Sequence, residues 1–332
     1  MTKFSDMKYE RPDFDREFGE MKGLLETMRE AKEEGAFFGA LAALEKKTRA
    51  ASTQGTLCQI RHTIDTRDAF YTAEQDAWDV AMPRFEGLGA ELAAIALSSP
   101  FRDKITEKYG PHLLEKLAVQ LKAFKPEIIP DLVEENKLVS EYEKLMASAQ
   151  VEFDGKTYNL SSLEPFMEST DRDTRRRAND AHWGWLAERV EQLDELYDKL
   201  VKIRHRIGKK LGYENFIPVA YARMGRTDWD QQDARVYRQQ IRDSVVPLAQ
   251  KLYREQSARI GVPDMKNFDY RLEFLSGNPL PQGPEEYLVN HAKKMYAELS
   301  PQTDEFFQLM VKGGLMDLTT KPGKANGGYM TF

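Results

Sequence analysis

The sequence predicts a mainly α protein, an irregular multi-helix array carrying one small β-hairpin near residues 151–160. Three observations lead there. Apolar residues recur at steps of three and four over long segments, as in Leu193, Leu196, Leu200, Ile203 and Ile207. Asp154-Gly155, set between short stretches containing β-branched and aromatic residues, is the one clear hairpin signal. No short repeat or low-complexity tract is present, which disfavours a solenoid of identical units.

The elements follow in order. Thr72 with Gln75 reads as a capping box opening a helix from Ala73 to Leu97, disturbed at Pro83 and closed by Pro100. Leu113, Leu114, Leu117, Leu121 and Phe124 mark a second helix, and Ile128, Ile129, Leu132 and Val133 a third packed on it. In the hairpin, Val151 should pair with Tyr158, and the strands need a surface to pack on because an isolated hairpin is marginal. The spacing then predicts one long helix from Thr170 to Leu211, stopped by Gly212. Another runs from Trp229 to Ile260, capped by Thr227, bent at Pro247 and ended by Gly261. After the turn-rich stretch 277–284, Pro284 opens a helix and Ser300-Pro301 starts the last. We place a domain border near Thr170, giving an N-terminal helical lobe with the hairpin over 1–170 and a second unit over 171–332.

Composition narrows the function. The chain has 332 residues, 41% of them hydrophobic, enough for a sizeable core. Its 48 basic and 54 acidic residues are interspersed and sum to a formal charge of -6, which argues against nucleic acid as a partner. The polar stretch from Met1 to Asp15 does not resemble a signal peptide, and the most apolar window, Leu88 to Leu97, is too short for a membrane span. A cytoplasmic protein without a membrane partner is the expectation. Cys58 is the single cysteine, so an intrachain disulfide is impossible, and a buried core position is its plainest reading.

A helical zinc protease needs two His at i and i+4 with a Glu beside the first. None of the five His meets this pattern: His62, His112, His182, His205 and His291 are far apart. His62 and Asp65 could form a local pair if their stretch is helical, against the plainer reading of a helix-packing His. The basic run Lys202 to Lys210 fits the end of a helix, where cations complement the dipole, better than a nucleic-acid patch. Arg175-Arg176-Arg177 reads as a solvated helix start beside Asp171 and Asp173. Trp183 and Trp185 cannot both face inward on one helix, so one is a candidate to line a cleft, whereas Phe306 and Phe307 read as core. Gly-rich residues near the end lack the order of a phosphate loop, and no Gly-x-Ser-x-Gly elbow occurs.

Several longer strings carry more information. Ile60 to Thr66 with Phe70 to Glu74, Leu211 to Phe216, Tyr221 to Asp228, Val245 to Leu248, Gly277 to Pro279, Lys294 to Tyr296 with Glu298 to Ser300, and Lys321 to Tyr329 together resemble oligoendopeptidase F and its thimet-oligopeptidase-like relatives. The resemblance covers most of the chain. It implies part of a two-lobed oligopeptidase fold around a deep channel, and endopeptidase hydrolysis of short peptides. In that family a His-Glu-x-x-His helix and a downstream Glu hold zinc, and the motif Glu is the base. Those residues do not occur here, so the resemblance implies no catalytic and no metal residue in this chain, no zinc bound to it alone, and no activity alone. By the same resemblance Lys324, Gly327, Gly328 and Tyr329 belong to a strand beside the active-site cleft and would touch substrate backbone; a turn is the competing reading. The implied partners are short peptides and the missing C-terminal catalytic half. The alternatives are a standalone, non-catalytic helical peptide-binding module and a scaffold without a peptide site.

Overall fold

The computed structural model describes residues 2–331. Helices dominate it: α1 (Phe14–Glu30), α2 (Glu34–Ile64), α3 (Ala69–Ser98), α4 (Arg102–Tyr109), α5 (Pro111–Lys122) and α6 (Ile129–Ala147) precede the hairpin. After it come α7 (Glu164–Met167), α8 (Arg172–Ala187), α9 (Val190–Lys210), α10 (Ile217–Arg223), α11 (Gln231–Gln240), α12 (Val246–Arg259), α13 (Glu285–Leu299) and α14 (Pro301–Gly313). The hairpin pairs β1 (Val151–Phe153) with β2 (Lys156–Tyr158), with Val151 opposite Tyr158 as the turn residues require. Asp154 and Gly155 take φ of 47° and 75°, the positive pair that a two-residue turn demands.

Three apolar clusters hold the elements from α1 to α10. Met21, Leu25, Phe37, Leu44 and Leu88 join α1, α2 and α3. Leu132 and Leu138 of α6 meet Leu196, Ile203 and Ile207 of α9 and Val219 of α10 in the second. The third gives the hairpin its surface, with Val151 and Phe153 against Leu163, Met167, Ala178 and Trp185. Cys58 is buried and joins no disulfide. Within the aromatic pairs one ring packs inward and the other is exposed: Trp185 and Phe307 are buried, Trp183 and Phe306 are not. Phe306 thus departs from the core position expected for it, since neighbours one residue apart on a helix face different ways.

Capping chemistry accounts for the differences in helix limits. α3 begins at Ala69 because the Asp68 carboxylate accepts the N–H groups of Phe70 and Tyr71 at 2.9 and 3.0 Å. Thr72, expected as the cap, donates instead to the Thr66 carbonyl at 3.2 Å. Pro83 does not interrupt α3. It cannot donate to the Asp79 carbonyl four residues back, and the Asn136 side-chain amide does so from α6 at 3.1 Å. The single helix expected from Thr170 to Leu211 is two, broken at Glu188 and Arg189. There Arg189 donates to the Trp185 carbonyl at 2.9 Å with its guanidinium 4.1 Å from the indole ring, capping α8 without glycine or proline. The cap of α11 is Asp230, in a reciprocal box with Asp233, and not Thr227. A π-helical turn, Ile241–Val245, precedes Pro247 in place of a sharp bend.

The ionic groups also find partners. Arg175, expected in solvent, is buried: its guanidinium donates to Asp269 at 2.9 Å and to the Ser169 carbonyl at 2.7 Å. The basic end of α9 owes its charge to α6 more than to a helix dipole, with Arg204 bonded to Glu135 at 2.7 Å, and Arg206 and Lys210 each to Asp131 at 2.6 Å.

Gly208 lies where α9 meets the following turn. A Cβ there would stand 2.7 Å from the Asn215 carbonyl oxygen and 2.9 Å from its carbon, both main-chain atoms that cannot rotate away. We expect Gly208→Ala to cost about 1–3 kcal/mol through overpacking. Urea unfolding measures it, and an unchanged midpoint would contradict the contact.

Candidate functional site

The four residues singled out near the end of the sequence lie on a clasp between two distant parts of the chain. At the C-terminal end of α2, the Thr66 N–H and hydroxyl both donate to the Gly323 carbonyl at 2.8 Å. The Ala325 N–H donates to the Thr63 carbonyl at 2.8 Å, and the Tyr329 and Thr63 hydroxyls stand 2.6 Å apart. From the segment after the hairpin, the Asn159 amide donates to the Thr320 hydroxyl at 3.0 Å and the Lys321 carbonyl at 3.2 Å. Ser161 donates to the Asn326 side-chain oxygen at 2.7 Å. Residues 320–329 are therefore fixed at both flanks by groups remote in sequence.

Within this clasp the four residues differ. Lys324 serves its own loop, donating to the carbonyls of Asp317 and Thr319 at 2.9 and 2.8 Å and pairing with the Asp317 carboxylate. Burial pushes the Asp317 carboxyl up, but the Lys324 and Lys321 ammonium groups overcome this and leave it below its ordinary value. Gly327 and Gly328 are exposed, and the Tyr329 ring is exposed while its hydroxyl is held. The segment runs as turns and bends, not as the strand expected. Among the described residues the only ladder is β1–β2, and a strand needs a paired neighbour. Gly327, Gly328 and Tyr329 thus carry main-chain N–H groups without a main-chain acceptor among the described residues.

Gly323 makes the clasp possible. Its φ is 81°, and a Cβ would come within 2.2 Å of the Arg67 Nε and 2.6 Å of the Asp65 Oδ1, two groups bonded to each other. Gly323→Ala should detach the segment from α2 with little loss of global stability, because the clasp lies outside the three clusters. Limited proteolysis between Gly314 and Thr331 would read this out, and wild-type resistance in the variant would contradict it.

Thr63 also borders an open cavity of about 780 Å³ lined by α2, α3, α5, α6 and α10. His62 lies in its wall, only 1% exposed, and neither ring nitrogen has a hydrogen-bond partner. Burial, with help from the Lys144 charge, pushes its pKa down, so the ring is neutral near pH 7. The pair with Asp65 is not formed: Asp65 instead binds Arg67 through two hydrogen bonds of 2.8 and 2.9 Å. On the facing side the Asp79 carboxylate accepts from Gln75 at 2.9 Å and Ser140 at 2.6 Å, and burial raises its pKa. Nothing in the sequence marked Asp79, because its partner Ser140 comes from α6, 61 residues away in sequence.

A zinc site does not fit this chain's own residues. The five His lie on α2, α5, α8, α9 and α13, and among the described residues no three His, Cys, Asp or Glu side chains converge as a metal would need. No described helix is long and apolar enough to cross a membrane.

Comparison with known proteins gives this geometry its context. Residues 4–124 match the peptidase M3 N-terminal domain. No curated protein matches the chain. Among solved structures, PZ peptidase A with an inhibitor is 42% identical with a TM-score of 0.98, the match covering 99% of this chain and 59% of that one. An oligoendopeptidase F is 42% identical with a TM-score of 0.97, over 98% of this chain and 58% of its own. Another, from Bacillus anthracis strain Ames, is 41% identical with a TM-score of 0.97, over 100% and 61%. The chain therefore spans about three fifths of the length of these relatives. With near-complete superposition at that identity, the chain is similar to oligoendopeptidase F and PZ peptidase A over the three fifths of their length that it spans, and its residues 4–124 match the N-terminal domain of the M3 peptidases.

Proposed function

We propose that these 332 residues are the N-terminal part of a zinc-dependent endopeptidase that hydrolyses short peptides, and that they do not cut peptides by themselves. The observation that carries this reading is the clasped segment 320–329, which leaves the main chain of Gly327 to Tyr329 free while fixing both flanks. Such a main chain suits an extended peptide, whose backbone can add to it as to a sheet edge. Gly at 327 and 328 lets that peptide approach closely. Tyr329, anchored through Thr63, holds the edge in place.

In this reading residues 1–170 form one lobe and 171–332 begin the other, the two packing through the second and third clusters. Zinc in the complete enzyme would polarise the scissile carbonyl and supply the attacking water. Its ligands and the general base would come from sequence outside these residues, in a C-terminal catalytic half. The protein would act in the cytoplasm on peptides and not on membranes or nucleic acids.

The test is the size limit of hydrolysis by a polypeptide that joins this chain to a C-terminal catalytic half. Chelator-sensitive cleavage of quenched peptides of roughly ten residues, with folded lysozyme left intact, is the result expected. Equal cleavage of folded protein and peptide, or chelator-insensitive cleavage, would contradict the reading. A non-catalytic peptide-binding module, the alternative, predicts peptide binding without hydrolysis in that polypeptide.

A further inference from the structure

The cavity beside Thr63 has a charge pattern that the clasp does not explain. Asp79 and Glu86 reach it from α3 and Glu143 from α6. None of the three makes a salt bridge among the described residues; Asp79 has only the neutral partners Gln75 and Ser140. Glu135, in the same wall, shows the contrast, since Arg204 and Arg223 bind it at 2.7 and 2.9 Å. Glu86 and Glu143 are open to solvent yet ringed by protein, and desolvation pushes both carboxyls up, as it does Asp79.

An independent feature lies in the same wall. His62 is almost wholly buried with both ring nitrogens unpartnered, although a buried imidazole ordinarily has a hydrogen bond at each. Three carboxyls without a salt bridge among the described residues and a neutral imidazole without a partner thus border one concave space, in which Lys116 is a further cation.

We propose that this cavity binds an organic cation, an ammonium or guanidinium group carried on an aliphatic stem. Such a head offers several N–H donors, which suits carboxylates arriving from two helices, and the His62 ring can accept one more. Leu117 and Val139, also in the wall, give the stem an apolar bed. A volume of about 780 Å³ lies in the range of small-ligand sites. A metal ion fits less well, because no three ligating side chains converge among the described residues. An anion would meet three carboxyls against the single ammonium of Lys116, since Arg223, the other cation in the wall, is already engaged by Glu135. The cation could belong to a free amine or to a basic side chain of a peptide; only the second source rests on the peptidase reading.

Calorimetric titration of the 332-residue chain at low salt tests this with three probes. They are agmatine, an acetylated and amidated alanine-based pentapeptide with one central Arg, and the same peptide with citrulline in place of Arg. Agmatine and the Arg peptide should bind, the citrulline peptide at least tenfold more weakly, and E86Q/E143Q should weaken both cations at least tenfold. These two positions reach solvent, so the variant should keep the wild-type circular dichroism and melting curve. Comparable affinity for agmatine and the Arg peptide assigns a free amine as the source; a strong preference for the peptide assigns a basic side chain. Equal binding of the Arg and citrulline peptides, no binding of agmatine and the Arg peptide, or unchanged cation affinity in E86Q/E143Q would overturn the proposal. Each of those results leaves the peptidase reading standing, because cleavage of peptides without basic residues is a separate measurement.

Discussion

Replacing Asp269 by Ala should destabilise the protein by about 3–5 kcal/mol, the cost of removing one partner from a buried ion pair. Asp269 is fully buried and Arg175 1% exposed; their contact is 2.9 Å, and Arg172 completes the cluster from α8 at 2.8 Å. The loss is large because the Arg175 guanidinium would stay in the interior facing no anion. Arg175→Met removes the other partner and should cost less, since Arg172 still reaches the carboxylate from a half-exposed position. The same cluster sets an acid limit. Burial alone would raise the Asp269 pKa, but hydrogen bonds from Arg172, the Lys266 N–H and Arg175 overcome it and hold it at about 2. A carboxyl depressed in this way stabilises fully above its unfolded value, and the contribution, roughly 2 kcal/mol, is lost as pH falls from about 4 through 2. Denaturant midpoints of wild type and Asp269→Ala should therefore converge over that window; parallel curves down to pH 2 would show that the pair carries no such linkage.

Amide hydrogen exchange should divide the molecule sharply. α11 and α13 have no buried residue, and α12 buries only Gln256, while Leu252, Met295, Leu299 and Leu309 are exposed. α13 and α14 hold mainly each other, through the stacked rings of Tyr296 and Phe307 at 4.6 Å. Helices with few tertiary contacts open at low free energy, whereas α2 and α3 are packed into the first cluster. Exchange in α11 to α14 should run at least about 100-fold faster than in α2 and α3, a gap of roughly 3 kcal/mol in opening free energy. In a polypeptide carrying the catalytic half, the same helices should become protected. Equal protection in the 332-residue chain would mean that these apolar faces need no partner.

The sequence announced local geometry better than long-range pairing. The hairpin register was readable because Asp154-Gly155 leaves one economical way to reverse the chain. Pro284, Ser300 and Gly212 marked helix limits for equally local reasons. Caps were harder, since Thr72 and Thr227 looked as suitable as Asp68 and Asp230, and only the folded path of the preceding residues decides. The break at Arg189 was hidden because a cation over Trp185 replaces the usual glycine. Pro83 was misleading in the other direction, its lost hydrogen bond being restored from α6 by Asn136. Lys324, Gly327, Gly328 and Tyr329 are candidates through resemblance alone, and their anchors Thr63, Thr66, Asn159 and Ser161 emerge only from the folded chain. Those contacts join residues more than 160 positions apart, and no periodicity reports them. The cavity escaped for the same reason, its wall being assembled from five helices.

The proposed function requires this chain to shape the peptide's surroundings and catalysis to reside elsewhere. Zinc content by mass spectrometry, measured with quenched-peptide cleavage on the 332-residue chain alone and on the same chain joined to a C-terminal catalytic half, tests it directly. Stoichiometric zinc and chelator-sensitive cleavage only in the longer polypeptide is the predicted result. Stoichiometric zinc or cleavage in the 332-residue chain alone would contradict it, and would place a metal site among side chains that do not converge in this structure.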